Sequence, residues 1–169
     1  PTFQDHVRGL IDSRHFAAKG ARLMANQFAY QGNSDDFLLD HGVAIVGPIR
    51  KNAEIAKGLV DSGAVAVALL SDASSRDVRR SMPILQRYIG RIPESRRIFS
   101  FQLGKLKADG PEMFLKALEV TGVAAAEALM IDDSEHKLTH AKALGMKTLH
   151  LTKEKDLGVE LAKLGVVEW

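Results

Sequence analysis

Residues 128–151 (ALMIDDSEHKLTHAKALGMKTLHL) constrain the fold of this chain more than any other stretch. They predict a short buried strand, two adjacent carboxylates at its end (Asp132 and Asp133), a helix, and a second strand. Ser134 is a favourable N-cap for that helix, and Gly145 lies where a left-handed C-cap is expected. In open parallel α/β sheets, ligands bind beyond the carboxyl ends of the strands. The two carboxylates therefore lie where oxygen ligands can hold a hard cation.

The rest of the chain alternates between helical and extended patterns. Residues 1–40 carry apolar side chains at helical spacing, and Gly20 is expected to interrupt or bound the second helix. Apolar runs at residues 64–70 and 98–103 predict strands, the first of them buried on both faces, and residues 43–46 predict a brief extended run. The alternation predicts an α/β fold with a parallel sheet, right-handed crossovers and helices on both faces.

Composition narrows the class of protein. A chain of 169 residues can build one domain with its own core, and no apolar run approaches the ~18 to 20 residues of a membrane span. The absence of cysteine excludes disulfides and thiolate metal sites. We expect a soluble protein. The chain begins with Pro1 and not with methionine, which processing, removal of a tag or an incomplete chain would each explain, and from this start and the mildly basic balance we guess the mitochondrial matrix as its compartment.

Positive charge is concentrated in one segment, residues 76–107. It holds nine Lys or Arg against two acidic residues, whereas the whole chain has a net charge of only +2. Such an asymmetry predicts a surface for an acidic protein partner, anionic lipid or RNA. The alternative is a solvated helix face followed by a basic loop.

Polar residues follow three of the predicted strands: Ser71, Lys107, and the pair Asp132 and Asp133. A hydroxyl and an ammonium neutralise phosphoryl oxygens, and carboxylates hold Mg²⁺, so the set suits a phosphate monoester. Each signal is weak alone, since Ser71 is also a common turn hydroxyl and an Asp pair before a helix also complements the helix dipole. The order and spacing of all three carry the prediction.

That order resembles the haloacid dehalogenase-like (HAD) superfamily, especially its pyrimidine 5′-nucleotidase-type phosphatases. The resemblance implies a Rossmann-like core over residues 43–169 and a small helical cap remnant over residues 1–42. It also implies roles for the polar residues: phosphate binding by Ser71 and Lys107, and Mg²⁺ binding by Asp132 with Asp133 beside it.

The chain departs from the family pattern at its most important motif. The first motif of the superfamily is a strand ending in DxDxT, whose first aspartate is the nucleophile, and no Asp-x-Asp occurs in the 169 residues. Asp72 stands where the family usually has Asn, and Lys137 replaces another common Asn. Without the nucleophile no covalent intermediate can form, so we expect the chain as given to be inactive.

The missing motif is also a missing strand. In the resembled fold that strand lies centrally, between the strands that end at Leu70 and Ile131. Unpaired backbone groups on both neighbours, at ~1 kcal/mol or more each, would rival the stability of a whole domain, about 5 to 15 kcal/mol. An upstream segment, residues 43–46, or a strand from a partner chain could fill the position, and the sequence leaves all three open.

Three other interpretations are weaker. A phosphorelay receiver has its acid pair early and its lysine last, whereas the order here is serine, lysine, acids. A dinucleotide-binding domain needs a glycine fingerprint that this chain lacks. His136 and His140 are four residues apart and could bind zinc, but no third ligand is evident.

Two hypotheses for the function remain. The absent motif and the basic segment favour a degenerate HAD-like protein that serves as a non-catalytic accessory subunit of a larger assembly. The near-intact set of Ser71, Lys107, Asp132 and Asp133 favours the remainder of a Mg²⁺-dependent phosphatase acting on a nucleotide or another small phosphomonoester. We favour the accessory subunit slightly at this point, because an enzyme would rarely lack its own central strand.

Overall fold

The computed structural model describes residues 2–40 and 48–166. Within them the strands are β1 (Leu69–Ser71), β2 (Arg97–Phe99), β3 (Leu129–Asp132) and β4 (Lys147–His150). The α-helices are α1 (Phe3–Val7), α2 (Ser13–Phe28), α3 (Ser34–Asp40), α4 (Arg50–Ser62), α5 (Ser75–Ile89), α6 (Ser100–Leu103), α7 (Glu112–Thr121), α8 (Thr139–Ala143) and α9 (Leu157–Lys163). Short 3₁₀ helices cover Glu94–Arg96, Ala125–Glu127 and Glu135–Leu138. The predicted extended run at residues 43–46 and the domain boundary after residue 42 lie outside the described residues.

The strands pair in parallel, as predicted, but in two separate halves. β1 pairs with β2, which places Leu70 opposite Ile98, and β3 pairs with β4, which places Ile131 opposite Leu149. In the part of the chain that the structure describes, no strand joins β1 to β3. The sheet is therefore divided at the position where the family resemblance places the missing strand.

Helices cover both faces of the β3–β4 half. Met130 belongs to one core cluster with Phe114 of α7, Leu138 and Ala141, whereas its neighbours Leu129 and Ile131 pack with Leu149 and the buried leucines of α9. Successive side chains of a strand point to opposite faces, which accounts for this division. The predicted α/β arrangement is confirmed.

Helix α7 also connects the two halves of the sheet. Leu70 of β1 packs against the cluster of Phe114 and Met130, and it also packs against Met113 and Ile98. Phe114 and Met113 are fully buried. The halves therefore share a hydrophobic layer although no backbone pairing between them is described.

Gly20 does not end or interrupt a helix, and that prediction is wrong. It lies inside α2, where the ring of Phe37 from α3 packs against it. A Cβ at Gly20 would lie 2.2 Å from Phe37 Cζ, so only glycine permits this approach. The packing of α3 compensates for the low helix propensity of glycine, about 1 kcal/mol relative to alanine.

The first two predicted strands are shorter than expected. β1 begins at Leu69 rather than at residue 64, and its residues are half-buried instead of buried on both faces. The physical reason is that β1 has backbone pairing with β2 alone among the described strands. The predicted strand over residues 98–103 ends at Phe99, because the chain turns into α6, where Gln102 Oε1 accepts a hydrogen bond from Phe99 N (2.9 Å).

The crossover from β3 to β4 also differs from the prediction. The expected helix is divided into the 3₁₀ helix Glu135–Leu138 and α8, and the Ser134 side chain does not cap it. Asp132 Oδ1 instead accepts a hydrogen bond from Ser134 N (2.9 Å). Gly145 has φ +83°, which confirms the predicted left-handed conformation. The acid at the strand tip thus organises the turn that follows it.

The core assignment predicts the cost of truncating Leu138, which is fully buried against Phe114 and Met130. We expect Leu138→Ala to lower the free energy of unfolding by about 2 to 5 kcal/mol, because it removes buried methyl groups and leaves a cavity. Leu115→Ala is the matched control, since Leu115 of α7 is exposed. Urea unfolding followed by circular dichroism measures both, and equal losses would contradict this core.

Candidate functional site

The predicted site residues lie at the carboxyl ends of strands from both halves of the sheet. Ser71 ends β1, Asp132 ends β3, and Lys107 lies in the loop between α6 and α7. Lys107 Nζ donates a hydrogen bond to Leu70 O in β1 (3.4 Å) and forms an ion pair with the Asp132 carboxylate. The lysine side chain therefore connects β1 to β3 across the division of the sheet.

The Lys107–Asp132 pair is buried. The two side chains are 7% and 4% exposed. Burial raises the pKa of Asp132, but the hydrogen bond and the charge of Lys107 outweigh this and hold that pKa below its usual value. The pair is consequently an ion pair at neutral pH, in a place where a single unpaired charge would be strongly unfavourable.

Asp72 and Lys137, two of the departures from the family pattern, contact each other. Lys137 Nζ lies 3.2 Å from Asp72 Oδ2, and Lys107 N donates a hydrogen bond to Asp72 Oδ1 (2.9 Å). The charge of Lys137 also helps to lower the pKa of Asp132, although less than Lys107 does. Asp72, Lys107, Asp132 and Lys137 form one group of two cations and two anions, which we term the charge cluster. Sequence analysis singled out each residue but did not predict the Asp72–Lys137 contact.

Asp133 and the histidines do not complete a metal site. Asp133 is exposed, and its backbone carbonyl accepts a hydrogen bond from His150 Nε2 (3.1 Å). His136 Nδ1 lies 2.9 Å from Ser134 Oγ and His140 Nε2 lies 3.3 Å from Ala108 O, so each of the two proposed zinc ligands contacts a different group.

Oxygen ligands for Mg²⁺ are correspondingly few. Across residues 2–40 and 48–166, no group of three or more Asp, Glu or His is placed to hold a metal. Asp132 already accepts hydrogen bonds from Lys107 and Ser134. The described residues therefore do not fit Mg²⁺ without a further ligand.

A second acidic residue, Asp109, shapes the loop that carries Lys107. Its Oδ2 accepts a hydrogen bond from Leu106 N (2.9 Å), and both of its oxygens accept from the Arg8 guanidinium at 2.6 Å. The hydrogen bond from Arg8 lowers the pKa of Asp109 to about 2. Sequence analysis missed this pair, because the two residues are 101 positions apart and no local pattern relates them.

The basic segment, residues 76–107, is partly neutralised within the chain. Arg87 pairs with Glu54 (3.4 Å) and Arg91 with Asp61 (3.2 Å), both across to α4. The Arg97 guanidinium donates hydrogen bonds to backbone carbonyls. A partner at this segment stays a prediction. Among the described residues, no helix has the length and apolar character needed to cross a membrane.

The structure is similar to those of HAD family enzymes. A HAD family enzyme from Bacteroides thetaiotaomicron, BT-2542, was crystallised as a magnesium complex and aligns with a TM-score of 0.75 at 19% identity, covering 94% of this chain and 78% of that chain. An aspartate-to-alanine mutant of that enzyme, in complex with magnesium and inorganic phosphate, aligns with a TM-score of 0.76 at 19% identity, covering 94% of this chain and 77% of that one. No protein-family model and no curated protein sequence matches this chain. The chain therefore has the HAD-like fold that its sequence resembles.

Removing one partner of the buried pair should be costly. We expect Lys107→Met to lower the free energy of unfolding by about 3 to 5 kcal/mol, because it leaves Asp132 charged and unpaired, and Lys107→Met with Asp132→Leu to recover most of that loss. Lys105→Met is the control and should cost much less, since its pair with Glu112 (3.4 Å) is half exposed and is screened by solvent. Denaturant unfolding at pH 7 measures all three, and a Lys107→Met loss no larger than that of the control would contradict the burial of this pair.

The low pKa of Asp109 predicts that the free energy of unfolding depends on pH in the acid range. A carboxyl whose folded pKa is about 2, below its ordinary value of 3.8, stabilises the fold fully above pH ~4 and loses that contribution as the pH falls towards 2. The difference in unfolding free energy between the wild type and Asp109→Asn should therefore shrink between pH 4.5 and pH 2. Urea titrations over this range measure it, and a difference independent of pH would be inconsistent with the Arg8–Asp109 pair.

Proposed function

We propose that this chain supplies the phosphate-binding side of a phosphomonoester hydrolase site, and that one further strand, carrying a nucleophilic aspartate, completes the site between β1 and β3. The observation that carries the proposal is the buried Lys107–Asp132 pair at the carboxyl ends of strands, beside the division of the sheet. This preference reverses the one we drew from the sequence.

The burial of the Lys107–Asp132 pair favours a role in ligand binding over a purely structural role. Replacing a buried ion pair by hydrophobic residues of similar volume is often neutral or stabilising, so stability alone does not explain charged residues here. Ionisable groups with a shifted pKa are common at functional sites, and Asp132 is such a group. Strand ends are also where α/β folds bind ligands, and Lys107 and Asp132 meet there.

Each residue has a role in this proposal. The Lys107 ammonium and the Ser71 hydroxyl neutralise and orient phosphoryl oxygens. The aspartate of the further strand attacks phosphorus, an aspartyl phosphate forms, and the alcohol leaves with a proton from a second acid, as the HAD resemblance implies. Water then hydrolyses the aspartyl phosphate to give inorganic phosphate.

Magnesium enters the proposal only together with that strand. Asp132 and Asp133 offer carboxylate oxygens, and the added aspartate would join Asp132 to give a ligand set suited to a hard cation. When bound, the ion would neutralise charge on the phosphoryl group. The similar Bacteroides enzyme was crystallised with magnesium and with inorganic phosphate, which supports this choice of ion and ligand.

A non-catalytic accessory subunit is the second candidate, and Asp72 is the observation that favours it. Its carboxylate adds a negative charge beside Lys107, where an anionic phosphate would have to bind. In that case the Asp72–Lys137 pair has only a structural role, and the partner would be an acidic protein, anionic lipid or RNA at residues 76–107.

Hydrolysis of p-nitrophenyl phosphate tests the proposal. We expect no turnover by residues 1–169 alone, and Mg²⁺-dependent, EDTA-sensitive turnover by the product of the whole gene, because only that product would contain the nucleophile. In it, Lys107→Ala should lower kcat/KM by about 10²- to 10³-fold through loss of phosphoryl charge stabilisation.

Lys105→Ala is the matched control for this assay and should keep wild-type turnover, since Lys105 pairs with Glu112 and is not a member of the charge cluster. A whole-gene product with no additional strand and no turnover, whose chain purifies bound to another macromolecule, would support the accessory subunit instead.

A further inference from the structure

We propose that Arg8 is a positioning residue for the phosphate site: through Asp109 it holds the loop that carries Lys107. The N-terminal helices would then contribute to the geometry of the phosphate site. This inference rests on the proposed function for its catalytic consequence, but the positioning itself can be measured without any turnover.

The contact between Arg8 and Asp109 is bidentate. Arg8 Nε donates to Asp109 Oδ2 and Arg8 Nη2 donates to Asp109 Oδ1, both at 2.6 Å. Paired bonds of this kind fix the relative orientation of both groups, which a single contact does not. The side chains are 20% and 22% exposed, so the pair is better shielded than the chain's surface ion pairs.

Asp109 transmits this constraint to the loop. The same Oδ2 that accepts from Arg8 also accepts from Leu106 N (2.9 Å), and Asp109 N donates to Leu106 O (3.0 Å). These bonds close a tight turn around Lys107. The backbone of Lys107 is held in addition by its bond to Asp72. Rotation of Asp109 would therefore release one side of the turn.

Arg8 can act in this way because its own backbone is fixed to the core. Ser100, which is fully buried, donates a hydrogen bond to Val7 O (2.7 Å) and accepts one from Ala73 N (3.0 Å). Gly9, the residue after Arg8, has φ +74°, and a Cβ there would lie 2.8 Å from Phe101 O. The end of α1 is therefore in close backbone contact with α6, and Arg8 extends from an anchored base.

A shift of the loop would move the Lys107 ammonium, which is the group that contacts phosphate in the proposed site. Its ammonium must stay between Leu70 O and the Asp132 carboxylate, and a displacement of about 1 Å at a positioned group can cost ~10²-fold in rate. If Arg8 only stabilised the fold, replacing it would change the melting temperature but would leave the phosphate affinity and the order of this loop unchanged.

Two measurements test the inference, each with Arg8→Ala and Arg8→Lys. In residues 1–169, amide hydrogen exchange should become at least ~10-fold faster at Leu106 and Lys107 in Arg8→Ala, while amides of the β3–β4 ladder stay protected. In the whole-gene product, the affinity for inorganic phosphate with Mg²⁺ should fall by about 10- to 100-fold. Arg8→Lys should recover part of both effects, because lysine keeps the positive charge but lacks the paired geometry.

Arg14→Ala is the matched control, since Arg14 is an exposed arginine on the same N-terminal segment. Unchanged exchange at Leu106 and Lys107 in Arg8→Ala would overturn the inference, as would an unchanged phosphate affinity beside a lowered melting temperature. If Arg8→Ala does not fold, Arg8→Lys and Asp109→Asn decide it by the same two readouts. If the wild type binds no phosphate, the proposed function fails, and the exchange data alone decide whether Arg8 orders the loop.

Discussion

Backbone hydrogen bonding between parallel strands is the constraint on which the rest of this structure depends. An inner strand of a sheet needs partners on both edges, and buried unpaired N–H and C=O groups are costly. β1 and β3 each have one described partner, β2 and β4, and the described strands leave the position between them open. The shortness of β1, its half-burial and the charged residues at its tip all follow from its place beside that position.

The gap between the two halves of the sheet also accounts for the position of the charge cluster. α7 provides an apolar layer beneath both halves through Phe114, and the charge cluster lies at the carboxyl ends of the strands above it. The cluster is balanced in formal charge, so no ion is left buried without an opposite partner. Asp72 and Lys137 both differ from the pattern of the resembled family, and they carry opposite charges and form a pair.

Much of the fold could be predicted from the sequence, because local patterns specify it. The strand–acid–crossover–strand unit at residues 128–151 and the parallel pairing follow from apolar periodicity and from Gly145, and the family resemblance implies that Lys107 and Asp132 share one site. The errors arise where distant contacts override local preference. Gly20 continues a helix because Phe37 packs on it, and the Arg8–Asp109 pair joins residues that no sequence pattern relates. Residue 64 does not begin β1, because strand length depends on which neighbours supply hydrogen bonds.

The central claim is that a further strand belongs between β1 and β3. An experimental structure of the whole-gene product, with its cross-strand hydrogen bonds determined, measures this most directly. Our account predicts a strand hydrogen-bonded to both Leu70 and Ile131, with an aspartate at its carboxyl end beside Lys107. Direct pairing of β1 with β3, with no strand between them, would contradict the account.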